Sequence, residues 1–173
     1  NLCLDTRCLY INQTYFWRSS LGFCLKKDGD VCHVVKGGKR CVAAASNDAA
    51  LPLMLYNAEL NICGPSGGKR VALRDFYTAD GIDNNSLSPN EILTEIVVPI
   101  PGRNIRCGFD KLRVRKAIDF PLLNVAGLIE QDDGVVTKME FVVSSLGAKP
   151  KLITLTGKAS GRPLNAELIA YAA

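Results

Sequence analysis

Asn1-Leu2-Cys3-Leu4-Asp5-Thr6-Arg7-Cys8-Leu9-Tyr10-Ile11-Asn12-Gln13-Thr14 opens the chain and begins a cysteine-rich stretch that runs to Cys41. This stretch holds five of the seven cysteines: Cys3, Cys8, Cys24, Cys32 and Cys41. Aromatic and basic residues lie among them: Tyr10, Tyr15, Phe16, Trp17 and Phe23, then Lys26, Lys27, Lys36, Lys39 and Arg40. So many thiols in so short a stretch have three common explanations: disulfides, a metal site, or chance. Regular periodicity is weak. Gly22, Asp28-Gly29-Asp30 and Gly37-Gly38 break the stretch, and only Val31 to Val35 looks extended. The reading is one long irregular loop. Such loops in compact domains are functional or stapled, and a metal cluster is one kind of staple.

The rest of the chain narrows the choice. Of its 173 residues, 47% are hydrophobic and 22% charged, an ordinary globular balance for one or two modest domains. No apolar run reaches the roughly 18 residues a membrane span needs. No secretory signal is visible, and a cytoplasmic, reducing compartment is expected, where clustered thiols bind metal more often than they pair. Seven is also an odd number for a disulfide framework. The first residue is asparagine, and Pro163 to Tyr171 reads as the opening of a helix that soon stops. The expectation is a piece of a larger polypeptide.

Charge placement adds a clue. Residues 1–41 hold seven Lys/Arg against three acids (Asp5, Asp28, Asp30), which leaves fourteen of each from the chain totals of 21 and 17. The whole excess of +4 therefore sits in the cysteine stretch. The basic residues are few and do not share a helical face, which argues against a nucleic-acid surface. A bound anionic centre, such as a cluster with four thiolates, is one use for them. An anionic partner protein is another.

Beyond residue 41 the signals become regular. Ser46-Asn47-Asp48 reads as a capping cluster for a short helix through Leu55. Ala58 to Cys63, a turn over Gly64-Pro65-Ser66-Gly67-Gly68, and Lys69 to Leu73 read as a hairpin. Ser88-Pro89-Asn90-Glu91 has the form of a capping box with room for one turn, before a strand over Glu95 to Pro99. Residues 105–116 alternate as a half-exposed strand does, notably over Leu112-Arg113-Val114-Arg115. Leu122 to Ile129 and Val135 to Val143 flank the turn Gln131-Asp132-Asp133-Gly134, a second hairpin. Leu152 to Thr156 reads as a strand, followed by a helix. The class is α+β with antiparallel sheets. Pro99, Pro101, Gly102 and Asn104 suggest a domain boundary near residues 99–106.

The residues alone leave the metal open. Structural zinc usually takes ligand pairs two to four residues apart, and no C-x2-C occurs. Cys3 and Cys8 are the nearest pair, and His33 is the only histidine. An iron–sulfur cluster also prefers thiolates and tolerates wider spacing in a wrapped loop, and the basic excess favours it slightly. Cys63 and Cys107 fall in expected strands and read as small buried hydrophobes.

The opening run resembles the flavoprotein (medium) subunits of the 4-hydroxybenzoyl-CoA reductases, within the xanthine oxidase family of molybdenum hydroxylases. The resemblance continues through Tyr15-Phe16-Trp17-Arg18, Gly22-Phe23-Cys24-Leu25-Lys26, Cys32-His33-Val34-Val35 and Cys41-Val42-Ala43, and more loosely through the rest. It implies a [4Fe–4S] cluster on Cys8, Cys24, Cys32 and Cys41, with Cys3 the rival first ligand. It implies three parts: a cluster-binding insert over 1–41, the remainder of a FAD-binding domain over 42–103, and an antiparallel-sheet-plus-helix C-terminal domain over 104–173.

The resemblance also implies flavin contacts. Asn1 matches the asparagine that ends a Gly-Gly-Asn turn cradling the FAD pyrophosphate. The glycines before it and any Gly-x-Gly-x-x-Gly are absent from this sequence, so this stretch by itself is expected to bind FAD poorly. Asp48 in Ser46-Asn47-Asp48 resembles a ribityl-contacting aspartate, which without the family reads as a helix cap. Leu87 resembles a leucine beside the isoalloxazine and otherwise reads as core. Lys111, in Phe109-Asp110-Lys111-Leu112-Arg113-Val114-Arg115-Lys116, resembles a lysine that reaches the flavin and otherwise reads as part of a charged edge strand. The implied function is electron transfer within an anaerobic, aromatic-degrading oxidoreductase, with no catalytic residue and no substrate site on this chain. Implied partners are a molybdopterin-binding large subunit and a [2Fe–2S] small subunit in a dimer of heterotrimers. Electrons would run from reduced ferredoxin through [4Fe–4S] and FAD to [2Fe–2S] and molybdenum. Another molybdenum hydroxylase with a different substrate, or a zinc-stapled interaction domain, are the alternatives.

Overall fold

A computed structural model describes residues 1–172. The expected hairpins form. Strand β1 (Glu59–Gly64) pairs antiparallel with β2 (Gly67–Ala72), and Gly67, at a φ of 106°, takes the left-handed position that closes the turn. Strand β3 (Ile92–Val97) pairs on the other side of β1, giving a sheet of order β2-β1-β3. A second sheet has order β4-β5-β6-β7, from Ile105–Leu112, Leu123–Asp132, Val135–Ser144 and Lys151–Thr154. Asp133 and Gly134 join β5 to β6 with φ of 45° and 81°, the two positive values that a tight hairpin turn requires.

Helices fill the space between and beside the sheets. The sequence helix α1 spans Tyr15–Leu21, α2 Ala50–Leu55, α3 Leu73–Phe76, α4 Thr156–Ala159 and α5 Ala166–Ala172. Leu51, Met54 and Leu55 of α2, Leu60 and Ile62 of β1, and Leu73 and Phe76 of α3 form the main core. Ala126 and Leu128 of β5 and Val142 of β6 close the same core. These strand residues alternate with others in period two, so one face of β5–β6 meets α2. On the opposite face Met139 joins Val136, Ala159 and Leu168 in a smaller core under α4 and α5. Full burial of side chains as large as Leu51 or Phe76 contributes about 1.5–3 kcal/mol each.

Four local expectations are corrected. Residues 1–41 contain a helix, α1, capped by Thr14, whose hydroxyl accepts from Trp17 N. Val31 to Val35 is not a strand; it belongs to the turns that wrap the cysteines. Asp48 does not cap α2, whose N-cap is Ala49 with no side-chain bond. Strand β4 ends at Leu112, so Arg113 to Arg115 are irregular. Of the expected capping box only the glutamate half forms: Glu91 Oε2 accepts from Ser88 N at 2.8 Å, while Glu91 N donates to the Ser88 backbone carbonyl at 3.0 Å in a turn rather than a helix. No helix among the described residues is long and apolar enough to cross a membrane.

Candidate functional site: a cysteine pocket and a polar junction

The cysteine stretch is folded by backbone bonds rather than by regular structure. An antiparallel bridge joins Arg7 to Ala44, with bonds of 2.8 and 2.7 Å, and ties its start to its end. Cys24 O accepts from Lys27 N and Gly29 N, turning the chain sharply. Gly29 is needed there, because a Cβ would lie 2.3 Å from Phe23 O. The Tyr10 ring stacks on His33 at 4.3 Å and meets Trp17 edge-on at 5.1 Å. His33 Nε2 donates to Phe23 O at 3.0 Å.

This wrapping brings Cys8, Cys24, Cys32 and Cys41 to the wall of one small pocket. Tyr10, Leu25, Lys26, His33, Val34 and Val42 complete much of the wall. Cys3 is not on it and is exposed. Among the described residues, no three His, Cys, Asp or Glu side chains stand close enough together to hold one metal ion. Two sulfurs receive backbone N–H groups: Cys32 from Val35 at 3.3 Å, and Cys41 from Ala43 at 3.5 Å. Burial pushes the Cys41 thiol pKa up, while the Ala43 N–H and the nearby Lys26 charge pull it down.

Gly81 anchors the pocket to the segment between α3 and β3. Its N–H donates to Cys41 O at 2.9 Å, and a Cβ on it would lie 2.8 Å from Cys41 Sγ. Its carbonyl accepts from Thr6 Oγ1 and from Lys26 Nζ. No local sequence signal marks Gly81 or Thr6, because their partners are 75 residues apart in the chain.

A second constellation lies between the start of α2 and the second sheet. Asp48 Oδ2 accepts from Lys111 Nζ, and Asp48 Oδ1 from Asn124 Nδ2, each at 2.8 Å. Lys111, Asn124 and Ser144 are direct cross-strand neighbours on β4, β5 and β6. Asn1 joins this region through its neighbours: its Oδ1 accepts from Ala49 N at 2.9 Å, and its carbonyl from Asn47 Nδ2 at 2.7 Å. Leu87 packs against the main core and shares no hydrogen bond or ion pair with Asp48 or Lys111 among the described residues. Asn124 escaped the sequence reading, although a buried asparagine within an alternating strand is a usable signal.

The junction also holds buried polar atoms without a hydrogen-bond partner among the described residues: Ser46 Oγ, Asn47 Oδ1, Asn124 Oδ1, Ser144 Oγ and Ser145 Oγ. Such atoms cost free energy unless something satisfies them. Ser46 and Ser145 line an open cleft with Arg7, Asn12, Asp119 and Phe120. Arg7 lies over the Phe120 ring at 3.1 Å from its centroid. Of the two remaining cysteines, Cys63 is exposed, against expectation, and Cys107 is half-buried against the core and Tyr56. Cys63 lies on the central strand β1 next to buried Ile62, so alternation turns it to the uncovered face of that sheet.

Comparison with known proteins gives these features a context. Residues 34–101 match the FAD binding domain in molybdopterin dehydrogenase. The chain is 29% identical over 115 residues to the xanthine dehydrogenase FAD-binding subunit of Escherichia coli O157:H7, covering 66% of this chain and 39% of that one. It is 25% identical over 122 residues to the carbon monoxide dehydrogenase medium chain of Afipia carboxidovorans, covering 70% and 41%. In fold it is similar to quinoline 2-oxidoreductase from Pseudomonas putida 86, with a TM-score of 0.65, 19% identity, and coverage of 74% and 44%. The chain thus spans about two fifths of the length of the curated relatives it matches. In its matched domain and over about two thirds of its length, the chain is thus similar to the FAD-binding subunit of a xanthine dehydrogenase and to the medium chain of a carbon monoxide dehydrogenase.

Proposed function

We propose that this chain belongs to the electron-transfer subunit of a molybdenum hydroxylase-type oxidoreductase, binding FAD at the Asp48–Lys111 junction and a [4Fe–4S] cluster in the cysteine pocket. The observation that carries the reading is the convergence of Cys8, Cys24, Cys32 and Cys41, separated by up to 33 positions, on one pocket wall. A single zinc ion would need its thiolates about 2.3 Å from one centre. A four-iron cluster presents its irons at separate corners and takes one thiolate at each, which matches four cysteines on one wall. The family match begins at residue 34, so three of these cysteines precede it. That supports their placement in an inserted loop.

The donor sets suit both groups. Backbone N–H groups of Val35 and Ala43 reach the sulfurs of Cys32 and Cys41, as hydrogen-bond donors to ligated sulfurs would. The unpartnered oxygens of Ser46, Asn47, Asn124, Ser144 and Ser145 suit a ligand rich in hydroxyl, amide and N–H groups, as a flavin is. Asp48 accepts hydrogen bonds there, and Lys111 supplies a cation held in place by that carboxylate. When bound, the two groups would supply one-electron and two-electron redox steps. The chain's own residues bind, orient and shield them.

For the whole enzyme, the opening run favours 4-hydroxybenzoyl-CoA as substrate, bound on another subunit, with reduced ferredoxin as donor and molybdopterin and [2Fe–2S] partners. The curated relatives named above act on xanthine and carbon monoxide by their names, so a different substrate on the same electron-transfer frame is the second reading. The test is iron, sulfide, zinc and flavin content of the anaerobically purified complex, with EPR after dithionite reduction. About four iron and four sulfide per chain beyond those of the partner subunits, lost in Cys24→Ser, are expected. Zinc alone would sink the cluster reading and leave a zinc-stapled interaction loop. Turnover of 4-hydroxybenzoyl-CoA by the same complex separates the two substrate readings.

A further inference from the structure

The cysteine pocket contains a cation whose surroundings differ from those of every other basic residue in the stretch. The Lys26 side chain is only 10% exposed, and it lies on the pocket wall with the four cysteines. Its ammonium donates to Asp5 Oδ1 at 2.7 Å, to Thr6 Oγ1 at 2.8 Å and to Gly81 O. Three acceptors match its three N–H donors, so the group is held at one point. Its counter-charge is not buried with it: Asp5 is 70% exposed. Water screens the carboxylate far more than it screens the ammonium. The pocket therefore feels a net positive charge, held in part by Gly81, which also bonds the Cys41 carbonyl. Lys27, the next residue, is 60% exposed and pairs only with exposed Asp28.

We infer that Lys26 is a positioning residue for the redox centre in the pocket: its fixed, buried ammonium raises the reduction potential of that centre, while the exposed lysines of the same stretch do not. This rests on the cluster reading above and narrows it from a general basic excess to one side chain. Reduction adds an electron to an already anionic centre, so a nearby unscreened cation favours the reduced form. A purely structural role for Lys26 would alter stability and cluster content without a directed shift in potential.

The experiment is an EPR-monitored redox titration of the anaerobic, assembled complex, comparing wild type with Lys26→Gln, Lys26→Arg and Lys27→Gln, after iron and sulfide analysis of each. Glutamine keeps hydrogen-bonding capacity and removes the charge. The expected result in Lys26→Gln is a reduced-to-oxidised ratio at the wild-type midpoint lower by about tenfold, equivalent to about 59 mV for one electron. Lys26→Arg and Lys27→Gln are expected to stay within about twofold of wild type. An unchanged midpoint in Lys26→Gln with full iron content overturns the inference, and so does an equal shift in Lys27→Gln. Should Lys26→Gln hold no iron, Asp5→Asn decides: an unchanged or higher midpoint supports the inference, and a lower one overturns it. Absence of iron in the wild type would instead overturn the cluster reading itself.

Discussion

Lys111 and Asp48 lie 63 residues apart in the chain and meet at 2.8 Å, with Asn124 holding the second carboxylate oxygen at the same distance. This contact joins the start of α2 to the far sheet, next to a group of buried polar atoms that have no hydrogen-bond partner among the described residues. It converts a residue that reads locally as a helix cap into the centre of a polar junction. Asp48→Ala should leave Lys111 and Asn124 without their acceptor. The carboxylate is more than a third exposed, so the expected loss of stability is modest, about 1 kcal/mol. The expected loss of flavin is larger, several-fold in FAD per assembled complex by absorbance. Full flavin content in Asp48→Ala would remove Asp48 from the binding site.

Gly81 tests the packing of the cysteine pocket. A Cβ there meets Cys41 Sγ at 2.8 Å and Ala43 N at 2.9 Å, and the second of these is backbone that cannot swing away. Gly81→Ala should destabilise the complex by about 1–3 kcal/mol and lower its iron content. Gly108→Ala, on β4 with open space where its Cβ would lie, is the matched control and should change stability by no more than about 0.5 kcal/mol. Calorimetry with iron analysis on both variants checks this. Equal behaviour of the two would show that the pocket adapts.

The loop after β4 carries a pH signature. Arg115 donates to both carboxylate oxygens of Asp119 at 3.1 Å, and this fork holds the Asp119 pKa down at about 2. An unfolded aspartate titrates near about 3.9. The stabilisation is therefore fully present above about pH 4 and is lost as pH falls toward 2. Thermal midpoints of wild type and Asp119→Asn should differ at pH 6, converge below about pH 4, and coincide only once the pH has fallen below the folded value of about 2. A gap that stays constant with pH would mean that the pair contributes nothing through its charge.

Cysteine reactivity separates the pocket from its neighbours. In the full-length subunit stripped of iron, exposed Cys3 and Cys63 should alkylate first. Cys41 should be slowest, because it is buried and its raised thiol pKa leaves less thiolate at neutral pH. In the iron-loaded subunit, Cys8, Cys24, Cys32 and Cys41 should be protected together while Cys3 stays reactive. Peptide mass spectrometry reads both patterns. Protection of Cys3 in place of Cys8 would reassign the first ligand.

Much of the fold follows from short-range pattern. Alternation over Leu123 to Val143, broken by Asp133-Gly134, specifies one hairpin, because side chains of a strand alternate faces and only certain residues accept positive φ. Gly64 to Gly68 does the same for the other. Helix α1 was hidden by its composition: none of its residues is buried, so it carries no apolar stripe, and only Thr14 and Gly22 mark its ends. Strand β4 stops at Leu112 although alternation continues, because Val114 finds no core to cover and is exposed.

The sequence by itself determined the α+β class, the two hairpins, and the grouping of charge and thiols in the first 41 residues, since each rests on neighbours a few positions apart. Tertiary structure alone decided which cysteines share a pocket, that Cys3 and Cys63 stay outside in solvent, and that Asp48 faces Lys111 and Asn124 instead of capping α2. It alone placed Gly81 against Cys41 and buried Lys26 while leaving Asp5 in water. These contacts join residues up to 76 positions apart. Their formation depends on how two sheets and a wrapped loop close on one another, and chain-local propensity carries no record of that closure.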